Sequence, residues 1–195
     1  MIIYHNDRFS GGREESRRLL GEAFTAYTGD AERAQALLEA LRKGEHGKPY
    51  AEGFSCFSVS HTGNIWAVLI CGRECGLDIQ LGRDADVRAL SERWFSPEDA
   101  AYIADAAEEK ERKDRFFRVW TRREALVKAL GGSVYETELP AVSGDKAAVE
   151  GRTYSVAEIS LPGTIALPEE DSRLYTAVCL EGDEIPADIT YIPVF

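Results

Sequence analysis

Apolar positions recur every three to four residues through 13–27 (REESRRLLGEAFTAY) and again through 31–43 (AERAQALLEALRK). That spacing predicts two amphipathic helices. Asp30 fits as N-cap of the second and Gly44 as its C-terminal stop. The pattern then changes. GEHGKPYAEG (44–53) is rich in turn formers. Beyond it, FSCFSVS (54–60), the unbroken apolar run IWAVLIC (65–71) and CGLDIQ (75–80) are separated only by HTGN and GRE. These predict three short strands of an antiparallel meander, with the middle strand buried.

The helical period returns in GRDADVRALSERWF (82–95). Ser96-Pro97-Glu98-Asp99 reads as a helix start, with a capping hydroxyl, proline in the first turn and acids beside the helix N-terminus. A long helix is expected over 108–130, stopped by Gly131-Gly132. Residues 133–195 are rich in β-branched residues, Gly and Pro, with strands expected near 145–150, 153–160, 173–181 and 188–193. Helices, strands, helices, strands: the order predicts an α+β protein of two similar halves, 1–80 and 81–195, although no repeat is visible as sequence identity.

Composition narrows the function. The 195 residues carry a net charge of −11, which argues against general binding to nucleic acid or to an anionic membrane. Residues 131–195 hold 3 basic and 12 acidic side chains, against 20 and 22 in residues 1–130, so an anionic ligand is expected in the first two thirds. No apolar run reaches the roughly 20 residues of a membrane span, and MIIYHNDRF lacks the pattern of a signal peptide. Cys56, Cys71, Cys75 and Cys179 are expected as free thiols in a reducing cytoplasm; no second Cys/His pair at zinc spacing accompanies Cys71 and Cys75.

There is no G-x-S-x-G elbow, no Walker loop, no G-x-G-x-x-G and no evident Cys–His pair among three histidines. The chain does not supply an evident activated nucleophile of its own; acids and one histidine at a strand end remain. Asp78 lies in a strand between Leu77 and Ile79, costly unless paired. It either accepts backbone hydrogen bonds or belongs to a site. In VWTRREALVK (119–128), Trp120, Glu124 and Lys128 recur four apart and share a helix face. Glu124 and Lys128 are either a surface ion pair or site residues. Asp78 and Glu124 together could hold Mg²⁺, with Lys128 neutralising a phosphate.

Taken together, GKP (47–49), FSVSH (57–61), GLDI (76–79) and WTRREALVK (120–128) resemble, in order and spacing, the motifs of the Sfp-type 4′-phosphopantetheinyl transferases. RRLLG (17–21) resembles an early helix of that family. Arg123 stands where the family usually has lysine before the glutamate. The resemblance spans about residues 17–131.

It implies two pseudo-symmetric α+β halves with coenzyme A in the cleft between them. It also implies Mg²⁺-dependent transfer of the phosphopantetheine arm to a serine of an acyl or peptidyl carrier protein, releasing 3′,5′-ADP. On the family pattern, Asp78 and Glu124 ligate the metal, with Gln80 as third ligand or replaced by water. Glu124 takes the proton of the carrier serine, directly or through a metal-bound water, and Lys128 stabilises charge on the pyrophosphate. His61 contacts the 3′-phosphate with Ser60 beside it. Lys48 and Arg17 grip the nucleotide end, and Trp120 is core.

Gln80 departs from the family's usual glutamate, which leaves open weaker metal binding or a preference for Mn²⁺. A lysine pair that many relatives place before the first helix is also missing. The resemblance implies a cytoplasmic monomer, since one chain completes the cleft. The competing readings are a non-catalytic relative that binds coenzyme A or carrier proteins, and a metal-dependent hydrolase.

Overall fold

The structure is a computed structural model and describes residues 1–44, 46–132, 139–162 and 173–195. The remaining stretches of the strand-rich C-terminal part, 133–138 and 163–172, lie outside the described residues. Strand β1 (Ile2–Asn6) leads into α1 (Arg13–Thr28) and α2 (Ala31–Glu39). A two-strand hairpin follows, β2 (Arg42–Lys43) and β3 (Pro49–Tyr50), then β4 (Cys56–Thr62), β5 (Ile65–Cys71) and β6 (Cys75–Leu81). Next come α3 (Val87–Trp94), α4 (Pro97–Ala104), α5 (Glu109–Leu130), β7 (Lys146–Val149), β8 (Arg152–Glu158), β9 (Leu174–Glu181) and β10 (Thr190–Pro193). The protein is α+β. No helix among the described residues is long and apolar enough to cross a membrane.

The strands form two four-stranded sheets, β10-β1-β5-β4 and β6-β9-β8-β7. Helices α1 and α2 cover one face of the first sheet, where Leu19, Phe24 and Leu38 meet Tyr4, Trp66 and Ile70. The helix α5 covers one face of the second, where Phe116, Ala125 and Ala129 meet Tyr154, Ala177 and Cys179. The other faces meet each other through Ile3, Ala67 and Leu69 against Leu77, Ile79, Val178 and Leu180. This explains the unbroken apolar run of β5. Trp66, Val68 and Ile70 face α1, while Ile65, Ala67 and Leu69 face the second sheet, so both sides of the strand are buried.

The structure corrects three expectations. The second helix stops at Glu39 and not near residue 43, and Gly44 instead turns the β2–β3 hairpin, its N–H bonded to the Lys48 carbonyl at 2.9 Å. Strand β1 was not anticipated. The meander ends after two strands: β4 and β5 pair, but β6 pairs with β9. Strand β10 returns from the C-terminal end to pair in parallel with β1.

Beside β4, the free edge of β6 is satisfied by side chains. The hydroxyls of Ser58, Ser60 and Thr62 accept from the backbone N–H of Leu77, Ile79 and Leu81 at 3.0, 3.1 and 3.2 Å. The constant offset means β4 and β6 run in the same direction, and alternate hydroxyls on one strand meet alternate amides on the other. Leu77 and Ile79 are buried, so an amide left without its hydroxyl would cost about 1–3 kcal/mol. This ladder joins the two sheets.

Candidate active site

Helix α5 crosses β6 at very close range. A Cβ on Gly76 would lie 1.8 Å from the Ala125 carbonyl oxygen and 2.7 Å from the Ala129 amide nitrogen. Glycine under Ala125 and Ala129 therefore lets helix backbone rest on strand backbone. Asp78 is two residues along the same strand and so on the same face, while Glu124 and Lys128 flank the two alanines on the helix.

The result is a polar cluster in an apolar seam. Lys128 Nζ lies 2.7 Å from Asp78 Oδ1 and 3.0 Å from Ser60 Oγ, which itself donates to Asp78 Oδ1 at 3.0 Å. Asp78 and Ser60 are buried. Glu124 is half-buried, and its carboxyl is pushed up to about 7, first by burial and then by the nearby Asp78 charge; Lys128 and Arg123 oppose the shift. Lys128 thus forms its ion pair with an acid 50 residues away in the chain. Gln80 lies half-buried on the Asp78 face of β6, its amide donating to the Leu81 carbonyl at 2.8 Å.

The other expected residues sit elsewhere. Lys48 reaches the C-terminal end of α5, donating to the Ala129 carbonyl at 3.2 Å and pairing with Glu74 at 2.8 Å. It lines a cleft of about 1000 Å³ between the β2–β3 hairpin, the end of α5 and β7–β8, together with Tyr50, Phe54, Gly131, Arg152 and Tyr154. Neither Asp78 nor Glu124 lines this cleft. Glu124 lies two helical turns, about 10 Å, back from Gly131. His61 is exposed and packs, tilted, against Phe9 at 5.2 Å between ring centroids. As the next residue on a strand, it points to the face opposite Ser60. Arg17 is exposed on α1 and donates to the Leu38 carbonyl at 3.0 Å, tying α1 to α2. Trp120 belongs to the core, packed against Phe116 and Phe95.

So the structure brings together Asp78, Lys128, Ser60 and Glu124, sets Gln80 on the same face of β6, and places Lys48 at the end of the same helix. It puts His61 and Arg17 on the α1 side. Sequence reasoning missed Gly76 as the reason for the close approach. It also missed Glu74 as the partner of Lys48, and the hydroxyl ladder. The alternation Ser58, Ser60, Thr62 against Leu77, Ile79, Leu81 was a usable signal for the last.

The donors around Asp78 are all oxygens, two carboxylates and an amide, which suits a hard cation that fills its shell with water and phosphate oxygens. Among the described residues no group of three or more His, Cys, Asp or Glu side chains is set to hold a metal by itself. Asp78, Glu124 and the Gln80 side-chain oxygen could hold such a cation only with water or phosphate oxygens completing its shell, and Asp78 Oδ1 is here engaged by the Lys128 ammonium.

Residues 74–158 match the model of the 4′-phosphopantetheinyl transferase superfamily. The match begins just before β6 and ends with β8, so it contains Asp78, Gln80, Glu124 and Lys128. Similar proteins include the 4′-phosphopantetheinyl transferase HetI of Nostoc sp. strain PCC 7120, 30% identical over 141 residues, or 69% of this chain and 56% of that protein. The 4′-phosphopantetheinyl transferase AcpT of Escherichia coli O157:H7 is 34% identical over 129 residues, 64% of this chain and 63% of its own. A third, the 4′-phosphopantetheinyl transferase gsp of Aneurinibacillus migulanus, is 28% identical over 95 residues, 49% of this chain and 39% of its own. The chain thus spans less than two thirds of the length of each of these relatives. Through residues 74–158, the stretch that carries the close-packed strand and helix, the chain is similar to the 4′-phosphopantetheinyl transferase superfamily.

Proposed function

We propose that this protein moves the 4′-phosphopantetheine arm of coenzyme A onto a serine of an acyl or peptidyl carrier protein, in the manner of an Sfp-type enzyme in the cytoplasm. The observation that carries the reading is the convergence of Asp78, Glu124 and Lys128 where α5 rests on Gly76. The one hydroxyl described in that cluster, Ser60, is buried and held by Asp78, Lys128 and the Ile79 N–H, so the nucleophile would arrive on a partner.

Asp78 and Glu124 would hold Mg²⁺, or Mn²⁺ in its place, with the Gln80 side-chain oxygen or water as a further ligand. The ion would supply Lewis-acid polarisation of the pyrophosphate. The chain's own residues do the rest. Glu124 would accept the proton of the incoming serine hydroxyl. The serine oxygen then bonds to the phosphorus that carries pantetheine, the bond to the bridging oxygen breaks, and 3′,5′-ADP leaves with that electron pair. Lys128 would offset charge on the departing phosphate, the kind of help phosphoryl transfer draws on most. The cleft beside the end of α5, with Lys48 at its wall, is one place for the nucleotide; contact of its phosphates with His61 and Arg17, which lie outside that cleft, would put it on the α1 side instead. Residues 1–80 and 81–195 would form the two halves around it, and a single chain would suffice.

The test is intact mass of an apo carrier protein after incubation with this protein, coenzyme A and Mg²⁺, beside the Asp78→Ala variant. A phosphopantetheine mass gain that needs both the cation and Asp78 supports the transferase. Coenzyme A binding without transfer to any fatty-acid, polyketide or peptide carrier, with Mn²⁺ also tried, would overturn it in favour of a non-catalytic binder.

A further inference from the structure

A serine hydroxyl has one proton to give and two lone pairs with which to accept. Those of Ser60 are all committed. The proton goes to Asp78 Oδ1 at 3.0 Å; the lone pairs take the Ile79 N–H at 3.1 Å and the Lys128 ammonium at 3.0 Å. Lys128 closes the triangle on the same Oδ1 at 2.7 Å. Ser60 is only 5% exposed.

We infer that Ser60 is a positioning residue: its hydroxyl fixes the Asp78 carboxylate and the Lys128 ammonium relative to each other and to the backbone of β6, and does not touch coenzyme A. The function it serves rests on the transferase reading; the geometry does not. Three observations support the inference. The hydroxyl has no capacity left for a phosphate oxygen. Its strand neighbour His61 points to the other face, toward Phe9. And the Ile79 N–H anchors the hydroxyl to a strand held on its other side by β9, so the carboxylate is referred to rigid backbone and not to another mobile side chain.

The ladder supplies its own control. Ser58 makes the equivalent bond, to the Leu77 N–H at 3.0 Å, one rung away. Ser58→Ala and Ser60→Ala each strand one such buried amide and should lower the melting temperature, Ser60→Ala by more because it also loses its bonds to Asp78 and Lys128. Only Ser60→Ala should also release the Asp78–Lys128 pair. In crystal structures of the two variants, the pair should open or rotate in Ser60→Ala and stay closed in Ser58→Ala. In transfer assays, kcat of Ser60→Ala should fall roughly tenfold or more, the scale of one hydrogen bond to a charged group, while KM for coenzyme A holds nearly constant. Ser60→Thr, which keeps the hydroxyl, should recover both the pair and kcat. If Ser60→Ala does not fold, Ser60→Cys, with a weak thiol donor, should show the same open pair and lowered kcat.

A closed pair in Ser60→Ala, or in Ser60→Cys if that variant is needed, would overturn the inference. So would a rise in KM for coenzyme A at unchanged kcat, the mark of a substrate contact, or equal losses of kcat in the Ser58 and Ser60 alanine variants. If the wild-type protein transfers nothing, the transferase reading fails, and the crystal structures still decide the role of Ser60.

Discussion

Gly76 and the carbonyl of Ala125 are so close that no side chain fits between them: a Cβ on Gly76 would stand 1.8 Å from that oxygen. The obstacle is backbone on a long helix, which cannot swing aside. Gly76→Ala is therefore expected to lift α5 from β6, costing about 3 kcal/mol or more, the upper part of the overpacking range. Urea unfolding measures this. A loss below about 1 kcal/mol would show that the helix can yield and that the close approach does not fix the site.

Glu124 makes stability depend on pH in the metal-free protein. Its carboxyl is raised from 4.5 to about 7, mainly by burial. A raised carboxyl favours the folded state only while protonated. The contribution is complete below the unfolded value near 4.5 and is lost as pH climbs through about 7. The expected loss across that window is on the order of 2–3 kcal/mol. Glu124→Gln should flatten this slope, raise stability at pH 8 and abolish transfer. Thermal unfolding of chelator-treated protein from pH 4 to 8 checks the slope; an unchanged slope in Glu124→Gln would mean that another group carries it.

Some of this was legible in sequence because it is local. Ser96 caps α4 and Pro97 opens it, as the four-residue pattern implies, and β5 spans the residues of its apolar run. Asp78, Glu124 and Lys128 stood out as charges in costly or periodic positions. What escaped reading was decided by partners far away in the chain. Strand β1 is five residues ending in two polar ones, and it is held by β5 on one side and by β10, from the far end of the chain, on the other. β6 follows β5 after a short turn and yet pairs with β9, because its other edge is taken by hydroxyls. Gly76 looked like an ordinary strand glycine until a helix was laid on it.

Asp99 shows a carboxylate serving structure alone. It is 1% exposed and accepts from the N–H groups of Val142 and Ser143, at 3.0 and 2.9 Å. Arg122 holds the same segment from the other side, donating to the Val142 carbonyl at 2.6 Å and the Val156 carbonyl at 3.2 Å. Asp99→Ala strands two amides and should cost roughly 2–4 kcal/mol. Transfer per folded molecule should be unchanged, because the segment lies apart from the Asp78–Lys128 pair. Denaturant titration and active-fraction-corrected kcat separate the two effects. A fall in kcat with stability intact would bring Asp99 into the site.

Gln80 tests the cation directly. It shares a β6 face with Asp78, and its amide nitrogen is already bonded to the Leu81 carbonyl. Replacing it with glutamate removes that donor and adds a third carboxylate to a pair in which Asp78 already raises the carboxyl of Glu124. Without metal, the added charge should destabilise the protein at pH 8. With metal, the same repulsion becomes attraction, and binding should tighten roughly tenfold, about 1.4 kcal/mol. Titration with Mn²⁺, followed through its effect on water relaxation, reads affinity without any substrate. If Gln80→Glu lowers stability but leaves the Mn²⁺ affinity as it was, position 80 faces the helix and not the cation, and Asp78 and Glu124 hold the ion with water in the third place.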